Sequence, residues 1–147
     1  MLTNNDFNNI MSMAKKFEDM STIVLPANGG KINRNLSSTS SNDEFILNIE
    51  RGRINLKKVK YQTRHKSTNT PLIRIDTTGP RHQNPDGEYI ECPHIHIYKE
   101  NYGDKWAFPL DKNLFTDIDN LSNLLKDFLI YFNVEEIPGI LYMETLA

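Results

Sequence analysis

Apolar side chains recur at Phe7, Ile10, Met11, Ala14 and Phe17, a spacing that lines one helical face and predicts a helix over residues 4–20. Thr3, followed three residues later by Asp6, supplies a capping arrangement at its start. The period then changes to two. Residues 22–25 and 31–36 read as short strands flanking Asn28-Gly29-Gly30, residues that reach positive φ at low cost and favour a turn. Residues 37–43 carry no apolar side chain, so this serine-rich loop is expected to be mobile and to pack against nothing. Phe45, Leu47 and Ile49 alternate as in a half-buried strand, and the chain turns around Gly52. Residues 54–66 read as a long basic strand, and residues 67–70 as the turn after it.

In the next strand, residues 71–77, Leu72, Arg74 and Asp76 share one face and Ile73 and Ile75 the other. Asn84-Pro85-Asp86-Gly87 is a strong turn signal, after which residues 89–99 form the partner strand and residues 105–108 a short last one. Leu121, Leu124, Leu125, Phe128 and Phe132 predict a closing helix over residues 117–132, with Thr116 and Asp119 repeating the capping pattern. Helix, run of strands, helix implies an α+β fold: an N-terminal helix, an antiparallel sheet of about five to six strands, and a C-terminal helix packed on the sheet.

Composition sharpens this outline. With 147 residues, 38% hydrophobic and 24% charged, the chain is sized and composed to fold as one domain over residues 1–147. Cys92 is the only cysteine, residues 1–20 lack the pattern of an export signal, and no apolar run reaches bilayer length. A cytoplasmic protein without a membrane partner is expected. The net charge of -2 conceals two opposed halves. Residues 51–82 hold nine basic side chains against the single acid Asp76, whereas residues 111–147 hold two against seven acids. The basic half could attract phosphate backbones. Arg53, Lys58, Lys60 and Arg64, interleaved with Tyr61, are candidates to track a nucleic acid, or else form the solvated outer face of a sheet.

Reactive residue types concentrate between Arg74 and Tyr98, where three of the four histidines lie. On one strand His94, His96 and Tyr98 face one way and Ile95 and Ile97 the other, with the two imidazoles roughly 7 Å apart. The predicted hairpin brings Arg74 and Asp76 alongside and leaves His82 in the connecting loop. Three readings follow. The pair chelates a metal, with His82, Asp76 or Glu100 completing the shell. Alternatively, His94, His96, His82, Asp76 and Tyr98 cleave RNA by acid and base catalysis without metal or other cofactor, while Arg74, Arg81 or Lys99 stabilises the phosphate. In the third reading the histidines are hydrogen-bonded polar residues on a sheet face.

The run from His94 to Glu100 resembles the first motif of cupins, but no histidine follows residue 96 to supply the second. It also resembles the histidine-triad hydrolases, with Tyr98 in place of the third histidine. Gly79-Pro80-Arg81-His82-Gln83-Asn84-Pro85-Asp86-Gly87, Pro93-His94-Ile95-His96-Ile97-Tyr98 and Asp104-Lys105-Trp106-Ala107 together resemble an uncharacterised family of small bacterial and phage proteins. Arg74, Asp76, His82, Pro93, His94 and His96 are similarly placed in the TumE-like toxins of toxin–antitoxin systems, although this chain has only two histidines in the last cluster and a longer loop. That likeness implies a ribonuclease-like toxin, or an inactive relative, with RNA as target and a cognate antitoxin as partner. The leading expectation is a toxin-like, metal-independent endoribonuclease. The alternative is a non-enzymatic inhibitor from a phage or mobile element, of the anti-CRISPR type, that binds a nucleoprotein defence complex through its acidic C-terminal face or its basic sheet.

Overall fold

Strict alternation along the central strands builds the sheet that organises everything else. The computed structural model describes residues 1–27 and 29–142. Helix α1 (Asn4–Ser12) is followed by strands β1 (Lys15–Phe17), β2 (Ile23–Val24), β3 (Lys31–Ser38), β4 (Glu44–Arg51), β5 (Val59–His65), β6 (Thr70–Asp76), β7 (His82–Gln83), β8 (Tyr89–Ile90), β9 (His94–Ile97) and β10 (Ala107–Pro109). Helix α2 (Leu121–Tyr131) and strand β11 (Ile140–Leu141) complete the chain. The main sheet has seven strands in the order β1-β3-β4-β5-β6-β9-β10, every pair antiparallel, and β2 with β11 and β7 with β8 form two small sheets. The architecture is α+β, with one more strand in the main sheet than expected.

One face of the sheet carries Phe45, Leu47, Ile49, Tyr61, Ile73, Ile75 and Ile95 into a single apolar core. Phe7 and Ile10 of α1 and Leu121, Leu124, Leu125 and Phe128 of α2 cover it. The Tyr61 hydroxyl donates to the Leu121 carbonyl at 2.8 Å, satisfying the polar tip of an otherwise apolar contact. The opposite face presents Lys31, Asn33, Asn48, Glu50, Lys60, Gln62, Arg74 and Asp76.

The helices are shorter than their apolar periodicity suggests. The Thr3 and Asp6 capping box is formed as expected, but α1 ends at Ser12 and Phe17 reaches the core from β1 instead. Pairing of residues 15–17 with β3 claims this segment for the sheet. At the other end Asn120, not Thr116, caps α2, its side chain accepting from the Asn123 amide, so Asp117 and Asp119 precede the helix. The basic strand is likewise shorter than residues 54–66: Arg53 and Lys57 lie in the loop before β5.

The serine-rich loop does not hang free. Ser38 is buried, its hydroxyl accepts from the Ser40 and Ser41 amides, and Asp43 pairs with His65 at 2.9 Å. Leu72 sits in the apolar core rather than on the open face, beside a register shift between Thr63 and Arg64. The turn expected at Asn28 lies partly outside the described residues; Gly29 beside it has φ of 74°. The Asn84–Gly87 turn is formed and closes the β7–β8 hairpin, with Gly87 at φ of 92° and its amide donating to the Asn84 carbonyl.

Candidate functional site

Antiparallel register assembles the site from two rows of residues that cross the open face. In one, Lys31, Glu50, Lys60, Asp76 and His94 are successive cross-strand neighbours. In the other, Asn33, Asn48, Gln62, Arg74 and His96 are. Because side chains alternate along a strand, this register places Asp76 and Arg74 directly beside the two histidines on the face away from the core. The expected hairpin partnership of β6 and β9 is thus present.

The rings stand closer than strand spacing alone implies. His94 and His96 lean together until their centroids are 4.8 Å apart, and His82, from the β7–β8 hairpin, comes within 4.7 Å of His96 and 6.1 Å of His94. The two Nε2 atoms are 3.1 Å from each other. The Oδ2 atom of Asp76 lies 3.3 Å from that of His94 and 3.1 Å from that of His96. Arg74 clamps the carboxylate through Nε and Nη2 and reaches Asp104 Oδ2 through Nη1 at 3.2 Å.

Backbone carbonyls decide which ring nitrogen carries hydrogen. His96 Nδ1 donates to the Asp104 carbonyl at 2.8 Å, and His94 Nδ1 faces the carbonyls of Ile90 and Glu91 at 3.3 and 3.2 Å. A carbonyl only accepts, so Nδ1 of each ring is protonated and, in the neutral ring, Nε2 holds a lone pair. His82 is held the other way round, its Nε2 donating to the Lys105 carbonyl at 2.6 Å.

His94 and His96 are only 2% and 3% exposed and Asp76 8%. They nevertheless line a hollow of about 240 Å³ whose rim brings Lys58, Lys60, Arg74, Arg81 and His82 together, with Cys92 beside them. Burial raises the Asp76 carboxyl, but its contacts with His94 and His96 and the Arg74 charge outweigh it and hold the group well below the usual carboxylate range. Burial, with the charges of Asp76 and Glu91, pushes the Cys92 thiol up, so it stays protonated. A second hollow continues along the open face, lined by Lys31, Asn33, Asn48, Glu50, Gln62 and Arg64, and shares Lys60 and Arg74 with the first.

Several sequence-predicted residues stand elsewhere. Tyr98 lies beyond the end of β9 and turns into the core, where its hydroxyl donates to the Leu2 carbonyl at 2.5 Å beside Phe7, so it is not part of the cluster. Lys99 rests over the Trp106 ring, 5.0 Å from its centroid, and does not line the hollow. Arg53 lies one hollow away, with Gly29 and Gly52. Arg81 is at the rim, its guanidinium 3.8 Å above the Tyr89 ring. Asp104, which braces Arg74 with its carboxylate and His96 with its carbonyl, was assigned no role from sequence; its place at the head of the Asp104-Lys105-Trp106-Ala107 run is the only sequence sign of it.

Among the described residues no helix is long and apolar enough to cross a membrane. No curated protein and no solved structure matches the chain. The family model for a family of unknown function, DUF6978, matches residues 2–134, and the chain belongs to that family.

Proposed function

From this membership, which brings no assigned activity, we propose that the chain is an RNA-directed protein that cleaves phosphodiester bonds at the Asp76, His94 and His96 cluster, in the manner of a toxin-like endoribonuclease. One observation carries the reading: Lys60 and Arg74 line both the hollow over the cluster and the polar trough along the sheet, so these two cations join the reactive groups to a trough in which Glu50 pairs with Lys31 at 3.6 Å. A single strand laid along Lys31, Lys60 and Arg64 would be held by its phosphates, while Asn33, Asn48 and Gln62 offer amides to base edges.

At the cluster, one of the two imidazoles of His94 and His96 takes the proton of the ribose 2′-hydroxyl, whose oxygen attacks the adjoining phosphorus. The bond from phosphorus to the 5′-oxygen breaks, the other imidazole, protonated, gives that oxygen its proton, and a 2′,3′-cyclic phosphate and a 5′-hydroxyl result. Arg74, Arg81 and Lys58 offset charge that builds on the phosphoryl oxygens.

The test is incubation of end-labelled single-stranded RNA with the wild type and with His96→Gln. Expected is a cyclic-phosphate product from the wild type that falls to background in the variant. Equal rates from the two proteins would remove the catalytic assignment. Tight RNA binding without cleavage by the wild type would also remove it and leave the inhibitor reading.

A further inference from the structure

We propose that Asp76, His94 and His96 form a site for one divalent transition metal ion of the zinc class, with its remaining coordination position open to the hollow. The expected chemistry needed no metal, and the geometry points the other way.

Distances come first. Zinc binds imidazole nitrogen and carboxylate oxygen at about 2.0–2.2 Å, which sets neighbouring tetrahedral ligands about 3.3 Å apart. The three ligand atoms are separated by 3.1, 3.1 and 3.3 Å. One point equidistant from all three therefore lies at coordination range, and these residues are the one group among those described with three such donors converging.

Donor bookkeeping gives a second reason. Each Nδ1 is committed to a backbone carbonyl, so two imidazole lone pairs and a carboxylate oxygen meet with few hydrogens between them. Arg74 supplies the donors that reach them, Nη2 at 3.0 Å from both His96 Nε2 and Asp76 Oδ2 and Nε at 3.3 Å from the same Oδ2. Acceptors facing one another in a buried site repel unless a cation stands between them. Orientation of a ligating histidine by a carbonyl on its other nitrogen is also how metal centres fix their ligands. Arg74 also holds Asp76 Oδ1 through Nε and Asp104 through Nη1, bracing the carboxylate from outside the triad.

Ligand chemistry narrows the ion. Two imidazoles and one carboxylate suit zinc or another late first-row metal, whereas calcium and magnesium take oxygen ligands. Cys92 Sγ stands 4.0 Å from His94 Nε2, at the rim of the site rather than within the triad. The ion together with Lys58, Lys60 and Arg81 would make the hollow strongly positive and favour an anion, or hydroxide, at the open position. What the ion does rests on the phosphodiester reading: its hydroxide would take over from the imidazoles, accepting the 2′-hydroxyl proton to become water and returning a proton to the leaving 5′-oxygen. Whether the ion binds does not rest on that reading.

The test uses the full chain, stripped with chelator and titrated with Zn²⁺ by calorimetry and with Co²⁺ by visible absorption. One ion per chain is expected, with affinity reduced on the order of 100-fold in His96→Gln and Asp76→Asn and nearly unchanged in Arg81→Ala and Cys92→Ser. Circular dichroism reports whether the variants fold. If they do not, ¹⁵N spectra of the wild type decide, because Zn²⁺ should shift Nε2 of His94 and His96 and leave His65 alone. Absence of saturable binding, or affinities indifferent to the triad, overturns the site. Metal binding without RNA cleavage keeps the site and removes the ribonuclease. Cleavage that survives chelation keeps the ribonuclease and removes the role given to the ion's hydroxide.

Discussion

Lys15 and the Asp76, His94 and His96 cluster are both polar groups taken out of water, on opposite sides of one sheet, and the fold treats them in opposite ways. Lys15 is fully buried, yet its ammonium has three hydrogens and meets three carbonyls, of Ile10, Met13 and Phe132, at 2.6–2.8 Å, with the Phe132 ring 4.1 Å away. Donors and acceptors match in number and nothing further can be added. His65 is similar, with Asp43 on one nitrogen and Thr68 on the other. The cluster on the open face has acceptors in excess, cations around its rim and a hollow above it. A closed set holds the fold together, whereas a set left short of donors is prepared for something that arrives from outside.

The contrast can be broken at either end. The largest effect should come from His96→Gln, which should slow RNA cleavage about 10³-fold, close to 4 kcal/mol of transition-state stabilisation, with urea unfolding as the control that stability moves less. A comparable loss of stability would place the cluster with Lys15 as a structural device. Lys15→Met should do the reverse. Leaving three carbonyls without a donor should cost about 3 kcal/mol in urea unfolding, with cleavage and metal affinity per folded molecule unchanged.

Zn²⁺ at a hundredfold excess over its wild-type dissociation constant should raise wild-type stability by about 2.7 kcal/mol, and that of Asp76→Asn, which binds about 100-fold more weakly, by only about 0.4 kcal/mol. A stabilisation indifferent to Asp76 would place the ion elsewhere.

Burial pushes the Lys15 ammonium from 10.5 down to about 7. Between those values the unfolded chain binds more protons than the folded one, so stability should rise with pH across that window, by at most about 1.4 kcal/mol per pH unit, and be insensitive to this group below it. The difference between wild type and Lys15→Met isolates the contribution, and a flat difference would show that the three carbonyls hold the charge fully. The smallest effect should come from Arg64→Gln, which removes one phosphate contact. RNA affinity should fall about tenfold at low salt, with a shallower salt dependence. An unchanged slope would take the trough out of the binding path.

Much of the sheet was legible because one face of each long strand had to be apolar. Phe45, Leu47 and Ile49 announced β4, and all three are fully buried. The opposition of Arg74 and Asp76 to Ile73 and Ile75 announced which face of β6 would carry chemistry, and His94 and His96 lie beside the polar pair. Helix ends were not legible. The stripe from Phe7 to Phe17 looks continuous along the chain, but β3 competes for its last residues, and edge pairing with a distant strand leaves no mark in a local period. Tyr98 shows the same limit: strict alternation puts it beside His96, whereas the strand ends one residue earlier and the ring turns under α1.

The sequence alone determined that the long strands would build an antiparallel sheet with helices on its apolar side, since hydrophobic periodicity is a local property that burial must obey. It also determined that two imidazoles would share a face with a carboxylate and a guanidinium. Tertiary structure alone decided that the imidazoles lean to within 3.1 Å of each other, that carbonyls of Ile90, Glu91 and Asp104 turn their lone pairs inward, and that Lys58, Lys60 and Arg81 ring the opening. Those relations join residues from separate strands and loops, and their distances are set by how the strands and loops pack, not by spacing along the chain.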